Sequence, residues 1–136
     1  MNKKGFTLIE LLVVLAIIGL LAVFLVPKLV GVQDRGKETA VKGVMHSVQI
    51  ATEAYNMENS MYPVAKNITL KELCENYLMV GGYVAEVPAN PFTGKQYAEG
   101  DTAGKIVYNY DDSVGKYILT GYKRNGMTKL IELSNM

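Results

Sequence analysis

The sequence predicts an α+β protein in which a long N-terminal helix packs on a small antiparallel β-meander of about three strands. An apolar run covers residues 6–26, and a helical pattern of apolar positions continues beyond it. Segments rich in tyrosine and β-branched residues, separated by turn signals, fill the last third of the chain. The length of 136 residues allows one modest core. The formal charge of +1 gives no bulk electrostatic reason to expect a nucleic-acid partner.

The first part of the predicted helix has the length and composition of a membrane span. Three positions interrupt the apolar run: Thr7, Glu10 and Gly19. About 20 helical residues extend roughly 30 Å, which matches the hydrocarbon thickness of a bilayer. Because Lys3 and Lys4 precede the run, the positive-inside bias predicts a cytoplasmic N-terminus in the inner membrane, with the rest of the chain outside the cytoplasm.

The second part of the helix is expected to be amphipathic and to pack on the globular domain. Its apolar stripe recurs at spacings of three and four residues: Val41, Val44, Val48, Ala51 and Tyr55. Polar residues, Thr52 among them, are expected on the other face. The helix should end near residue 59, because the residue before Pro63 avoids helical backbone angles.

Turn signals divide the rest of the chain. Thr69 and Glu72 form a T-x-x-E capping pattern that predicts a second, short helix, and Gly81 and Gly82 should end it. Two prolines and a glycine predict an ordered loop over residues 87–94.

Three strands are predicted at residues 105–110, 116–123 and 127–133. Asn125 and Gly126 predict a type I′ hairpin turn between the last two, because both residue types tolerate positive φ. The single cysteine, Cys74, allows no internal disulfide, so no covalent link within the chain can hold this hairpin.

The most informative pattern is the string K-K-G-F-T-L-I-E at residues 3–10, directly before the apolar run. In an ordinary secretory signal the cleavage site follows the apolar region. Here the plausible site precedes it, so that processing would remove a short leader and retain the helix. In this respect the sequence closely resembles the type IV pilin and type II secretion pseudopilin superfamily.

The resemblance implies a type IV pilin-like fold and a role for each motif residue. Residues 1–5 would be a leader whose basic residues are Lys3 and Lys4. Prepilin peptidase would cut between Gly5 and Phe6, and Phe6 would then be N-methylated.

The remaining domain boundaries follow from the same resemblance. Residues 6–30 would form a transmembrane and assembly helix, and residues 31–136 an amphipathic helix with a globular domain. Gly19 and Pro27 match the helix-weakening residues of many pilins, between which the helix would loosen inside a filament.

The role of Glu10 also follows from physical chemistry. A carboxylate inside an apolar helix costs about 2.5–3.5 kcal/mol on insertion scales, so it usually implies a partner. After cleavage the natural partner is the amine of Phe6, on a neighbouring chain or on its own. Such pairing would neutralise both charges and fix the axial register of a joining subunit.

The function expected from these features is structural. No set of acid, base and nucleophile converges in the sequence, and His46 and Cys74 are expected to be a surface histidine and a core thiol. The leading hypothesis is a major pilin that forms a homo-oligomeric helical filament, polymerised from the membrane by an assembly ATPase and platform. The filament would then lie outside the cell or in the periplasm.

Two alternatives and one ligand remain open from the sequence. The chain could be a major pseudopilin of a type II secretion system, or a minor or competence pilin that binds DNA or surfaces, although no nucleic-acid partner is expected. No cofactor is expected either, with calcium at Asp111 and Asp112 as the alternative.

Overall fold

The computed structural model describes residues 4–135, apart from the side chains at positions 27, 28 and 30. The chain divides into two compact units, the first ending at Arg35 and the second beginning at Gly36. Lys3, one of the two basic leader residues, lies outside the described residues.

Helix α1 covers Leu8–Asn59, which confirms the predicted long helix and its end. Val41, Met45 and Val48 are fully buried against the globular core. The expectation that Thr52 lies on the polar face was wrong, since it is buried. Its hydroxyl donates to the carbonyl of Val48, four residues earlier, at 2.8 Å, so a threonine can occupy the core without an unsatisfied hydroxyl.

Residues 60–67 form a connector after the helix, and two tyrosine hydroxyls hold it in place. The backbone leaves α1 at Ser60, which has a φ of 58°. The Tyr108 hydroxyl donates to the carbonyl of Pro63 at 2.7 Å, and the Tyr77 hydroxyl donates to that of Val64 at 3.2 Å. These bonds fix residues 60–67 on the sheet and on the short helix.

The capping pattern at Thr69 is confirmed. Strand β1 (Ile68–Thr69) leads directly into helix α2 (Leu70–Leu73), which continues as a π-helical turn over Cys74–Leu78. The Glu72 amide donates to Thr69 Oγ1 at 3.2 Å, and the Thr69 amide donates to Glu72 Oε2 at 3.0 Å. The cap therefore satisfies two amides at the start of a four-residue helix.

The sheet is an antiparallel meander in the order β1-β2-β3-β4. The three predicted strands are confirmed within about two residues as β2 (Ile106–Asp111), β3 (Lys116–Tyr122) and β4 (Lys129–Ser134). Strand β1 was not predicted, because its two residues are too few to show an alternating pattern. It pairs Ile68 with Tyr108 on β2.

The β3–β4 hairpin is confirmed, but the predicted type I′ turn was wrong. Gly126 has a φ of 67°, whereas Asn125 has no positive φ. The connection is longer, with the Lys123 amide bonded to the Thr128 carbonyl at 2.9 Å. Asn125 Oδ1 accepts from the amides of Met127 and Thr128, at 3.0 and 2.9 Å, so its side chain organises the turn.

The loop over residues 87–94 is ordered, as predicted, around a buried asparagine. Asn90 Nδ2 donates to the Ala103 carbonyl at 2.8 Å and to Asp101 Oδ2 at 3.2 Å. Asn90 Oδ1 accepts from the Phe92 amide at 3.0 Å. This side chain ties the loop to the segment that enters β2.

A carboxylate joins α1 to the connector and to the sheet. Glu53 Oε2 accepts from the Tyr62 hydroxyl and Glu53 Oε1 from the Tyr117 hydroxyl, each at 2.9 Å. The Tyr117 ring also stacks on Tyr108 with centroids 5.6 Å apart. In a chain with one cysteine, these polar and aromatic contacts stabilise the domain where a disulfide cannot.

Candidate assembly and processing site

The start of α1 contains a capping box that the sequence analysis missed. The Thr7 amide donates to Glu10 Oε2 at 2.9 Å and the Thr7 hydroxyl to the same oxygen at 3.1 Å. In return the Glu10 amide donates to Thr7 Oγ1 at 3.3 Å. The signal was present as Thr7-Leu8-Ile9-Glu10, the same T-x-x-E spacing that was recognised at Thr69.

The capping box gives Glu10 a role before any second chain is present. Thr7 is the N-cap and Glu10 the third helical residue, so each side chain satisfies an amide that a helix start leaves without a partner. A carboxylate in the first turn also interacts favourably with the helix dipole. The polar pair therefore defines where the helix begins.

Glu10 also lines a shallow groove among apolar side chains. The groove measures about 360 Å³, and its other lining residues are Phe6, Ile9, Val13 and Val14. All five side chains are exposed, and Phe6 is 91% exposed. An apolar groove with a single carboxylate can receive a positive group that is attached to an apolar segment.

The proposed cleavage position lies in accessible, non-helical backbone. Residues 4–7 are exposed and precede the first residue of α1, Leu8. A Cβ at Gly5 would have no atom within 4 Å. The bond between Gly5 and Phe6 is therefore open to a peptidase without unfolding the helix.

The N-terminal part of α1 has the properties of a membrane span. Its most apolar 18 residues have a mean hydropathy of 3.1, and none of them is buried. The helix continues through positions 19 and 27, and a Cβ at Gly19 would meet nothing within 4 Å. The helix-weakening roles of Gly19 and Pro27 stay predictions.

The residues named for the open alternatives lie in other parts of the fold. Asp111 Oδ1 accepts from the Ser113 amide at 2.9 Å and the Ser113 hydroxyl at 2.6 Å. These bonds lower the pKa of the Asp111 carboxyl and make it a turn-forming residue between β2 and β3. Over residues 4–135 the structure shows no group of three or more His, Cys, Asp or Glu side chains suited to hold a metal. Calcium binding at Asp111 and Asp112 stays a prediction without structural support.

The expected placement of the histidine and the cysteine is confirmed. His46 is exposed on α1, whereas Cys74 is buried after α2. Burial raises the pKa of the Cys74 thiol to about 11, so the thiol is protonated at neutral pH and is a poor nucleophile.

The fold and the N-terminal segment define a class of protein: an α+β domain with an apolar N-terminal helix, preceded by two basic residues and a glycine. Residues 1–26 match the family model described as the prokaryotic N-terminal methylation motif. No solved structure matches the chain significantly.

Curated relatives identify the family. The chain is 32% identical to type II secretion system core protein G of Pseudomonas aeruginosa over 112 residues, 76% of this chain and 78% of the relative. It is 29% identical to core protein G of Klebsiella michiganensis over 136 residues, 88% of this chain and 96% of the relative. The type IV wide pilus major component PilA4 of Thermus thermophilus is 43% identical over 61 residues, 45% of this chain and 47% of that protein.

The chain therefore belongs to the type IV pilin and type II secretion pseudopilin superfamily. It is a pilin-like structural subunit and not an enzyme. The predicted fold class is confirmed, with a fourth, two-residue strand added to the meander.

Proposed function

We propose that this chain is the major pseudopilin of a type II secretion system, which assembles into a periplasmic filament from the inner membrane. The sequence analysis placed a surface pilus first and a secretion pseudopilus second. Relatives called type II secretion system core protein G, with 78% and 96% of their length aligned, favour the second choice. The pilus remains the alternative, supported by the Thermus pilin over 45% of this chain.

One observation carries the filament function: the Thr7–Glu10 pair at the start of an otherwise apolar helix segment in which no residue of the most apolar stretch is buried. Prepilin peptidase would cut between Gly5 and Phe6, and the new N-terminus at Phe6 would be methylated. This cut removes Lys3 and Lys4 and creates a positive amine four residues before Glu10.

The new charge and the carboxylate can then drive assembly. Two opposite unit charges about 4 Å apart attract by about 4 kcal/mol at an effective dielectric constant of 20. This is comparable to the cost of about 2.5–3.5 kcal/mol for a carboxylate in an apolar helix. The amine of one subunit would enter the groove of its neighbour beside Glu10, while Thr7 holds that carboxylate at the helix start.

The proposed partners and location follow from this mechanism. Lys3 and Lys4 would hold the precursor with its N-terminus in the cytoplasm, as a single-pass inner-membrane protein. An assembly ATPase and its membrane platform would extract the processed subunit into the filament. Gly19 and Pro27 would allow α1 to loosen there.

The function is tested by deleting the gene and measuring both secreted enzymes and surface filaments. A pseudopilin predicts loss of secreted enzymes while any surface filaments of the cell remain. Loss of the filaments with normal secretion would instead favour the pilus. If neither changes, the chain is not a major subunit, and a minor pilin that binds DNA or surfaces becomes the better hypothesis.

The processing step is tested separately by mass spectrometry of the assembled subunit. We expect a chain that begins with N-methylated Phe6. A chain in the filament that still begins with Met1 would contradict both the cut and the charge pairing.

A further inference from the structure

Four large apolar side chains are exposed around the Asn59 end of α1. We call them the tip patch: Met57, Met61, Val64 and Val80. Met57 is 83% and Val80 is 78% exposed. An exposed group of this kind on a small domain usually marks an interaction surface.

Two tyrosines tether the separate segments that carry the tip-patch residues. The Tyr83 hydroxyl donates to Glu58 Oε2 at 2.6 Å and accepts from Asn59 Nδ2 at 3.2 Å. The Tyr77 hydroxyl reaches the Val64 carbonyl. Since Val80 lies between these tyrosines in the chain, its turn is held beside the end of α1. Glu58 adds an exposed carboxylate next to Met57.

A second exposed surface lies at the β3–β4 connection. We call it the hairpin patch: Lys123, Arg124 and Met127. Met127 is 83% exposed, like Met57. The Arg124 guanidinium lies 5.5 Å from the centroid of the Phe92 ring, and Lys37 Nζ of α1 lies 5.9 Å from the same centroid. This shared ring places the connection beside α1 at Lys37.

The two patches therefore lie at opposite ends of the globular unit. At 1.5 Å per residue, Lys37 and Glu58 are about 30 Å apart along α1. One copy cannot bring its own patches together, whereas two copies placed head to tail can. Their charges are complementary, with Glu58 at one patch and Lys123 and Arg124 at the other. A head-to-tail contact between different surfaces repeats without closing when its rotation does not form a ring.

We propose that the tip patch of one copy packs on the hairpin patch of the next copy in the filament. Met57 contacts Met127, and Glu58 faces Lys123 and Arg124. This contact rests on the proposed filament function. The filament would then have a second interface, between globular units, in addition to the packing of the apolar helices. This second interface would order the subunits along the filament.

The contact is tested by disulfide crosslinking in filaments of the full chain. The variant Met57→Cys with Met127→Cys should give a ladder of dimers, trimers and larger species on a non-reducing gel. Each single variant should stay monomeric. The native Cys74 is buried and should add no background. Ile50→Cys with Met127→Cys is the matched control, because Ile50 is also exposed on α1 but lies outside the tip patch.

The outcomes separate this contact from the function on which it rests. If the unsubstituted chain forms no filaments, the filament function itself fails. If filaments of the double variant stay monomeric on the gel, only the contact fails. Dimers from Met57→Cys alone would show a symmetric contact and would also overturn the proposal.

Charge reversal gives a second measurement if the cysteine pair does not assemble. Glu58→Arg and Arg124→Glu should each lower the filament yield, and the combination should restore most of it. A combined variant with a yield no higher than either single variant would overturn the contact.

Discussion

The chain uses the same capping box twice, at Thr7–Glu10 and at Thr69–Glu72, with nearly the same hydrogen-bond lengths. The second box is partly buried and starts a four-residue helix inside the globular unit. The first is exposed and starts a 52-residue helix whose next residues are apolar. The two backbone bonds of the boxes are the same, so the surroundings distinguish the glutamates: Glu72 is partly buried in the globular unit, whereas Glu10 is exposed, where the proposed function assigns it to a second chain.

The two capping boxes are expected to differ most in their effect on filament yield when the charge of the glutamate is removed and its capping hydrogen bond is kept. Glutamine also serves at the third helical position of a capping box, so Glu10→Gln and Glu72→Gln are matched variants. Glu10→Gln should lower filament yield by more than about a hundredfold, because an ionic attraction of about 4 kcal/mol is lost. Glu72→Gln should assemble normally. Filament yield is measured on sheared or purified filaments against membrane-bound subunit.

The Glu10→Gln and Glu72→Gln variants together show whether Glu10 acts in assembly through its charge or only as a helix cap. Normal filaments from Glu10→Gln would remove the charge-pairing mechanism and leave Glu10 a helix cap only. Glu10→Val, which removes both, should remain in the membrane and also fail to assemble.

A smaller effect is expected when the first cap is removed and the charge is kept. Thr7→Ala deletes the hydroxyl that holds Glu10 Oε2 and caps the Glu10 amide. The loss of an N-cap costs about 1 kcal/mol, which corresponds to about a fivefold lower filament yield. Thr7→Ser is the control and should assemble normally, since serine keeps the hydroxyl. An equal loss in both variants would mean that the threonine methyl group, and not the cap, matters.

The same substitution at the second box should affect stability instead of assembly. Thr69→Ala removes the cap of α2 and should cost about 1 kcal/mol. For a domain of about 100 residues this lowers Tm by about 4–8 °C, measured by circular dichroism of the purified chain in detergent. Filament yield well below Tm should not change. An unchanged Tm would show that packing of Leu70 and Leu73 alone defines this helix.

Sequence patterns predicted the features that local chemistry determines. The apolar run and the amphipathic stripe after it predict α1, the restriction before Pro63 predicts its end, and tyrosine-rich segments predict β2, β3 and β4. The box at Thr69 was predicted from its T-x-x-E spacing, whereas the box at Thr7, which has the same spacing, was not.

Features that depend on distant residues could not be predicted. Strand β1 exists only because β2, far along the chain, pairs with it. The Glu53 carboxylate accepts hydrogen bonds from the hydroxyls of Tyr62 and Tyr117, and Tyr117 is 64 residues from Glu53 in the chain. The sequence did indicate a turn at Asn125. The Asn125 side chain, however, accepts hydrogen bonds from the amides of Met127 and Thr128, and the turn that forms is therefore not type I′.

The smallest expected effect is on the alkylation rate of Cys74, which reports on the second capping box because Cys74 directly follows the helix α2 that this box starts. Its thiol has a pKa raised to about 11 by burial, from an ordinary value of 9.0. At pH 8 the folded thiol is protonated and inaccessible, so alkylation must proceed through opening of the domain. A destabilisation of about 1 kcal/mol in Thr69→Ala should therefore speed alkylation about fivefold, whereas Thr7→Ala should leave the rate unchanged. Mass spectrometry of the alkylated chain measures both rates. The raised pKa also means that folding favours the protonated thiol, so its contribution to stability is complete below pH 9 and declines between pH 9 and 11. Equal acceleration by Thr7→Ala would show that the two helix starts are coupled, and the separation of roles between Glu10 and Glu72 would then be wrong.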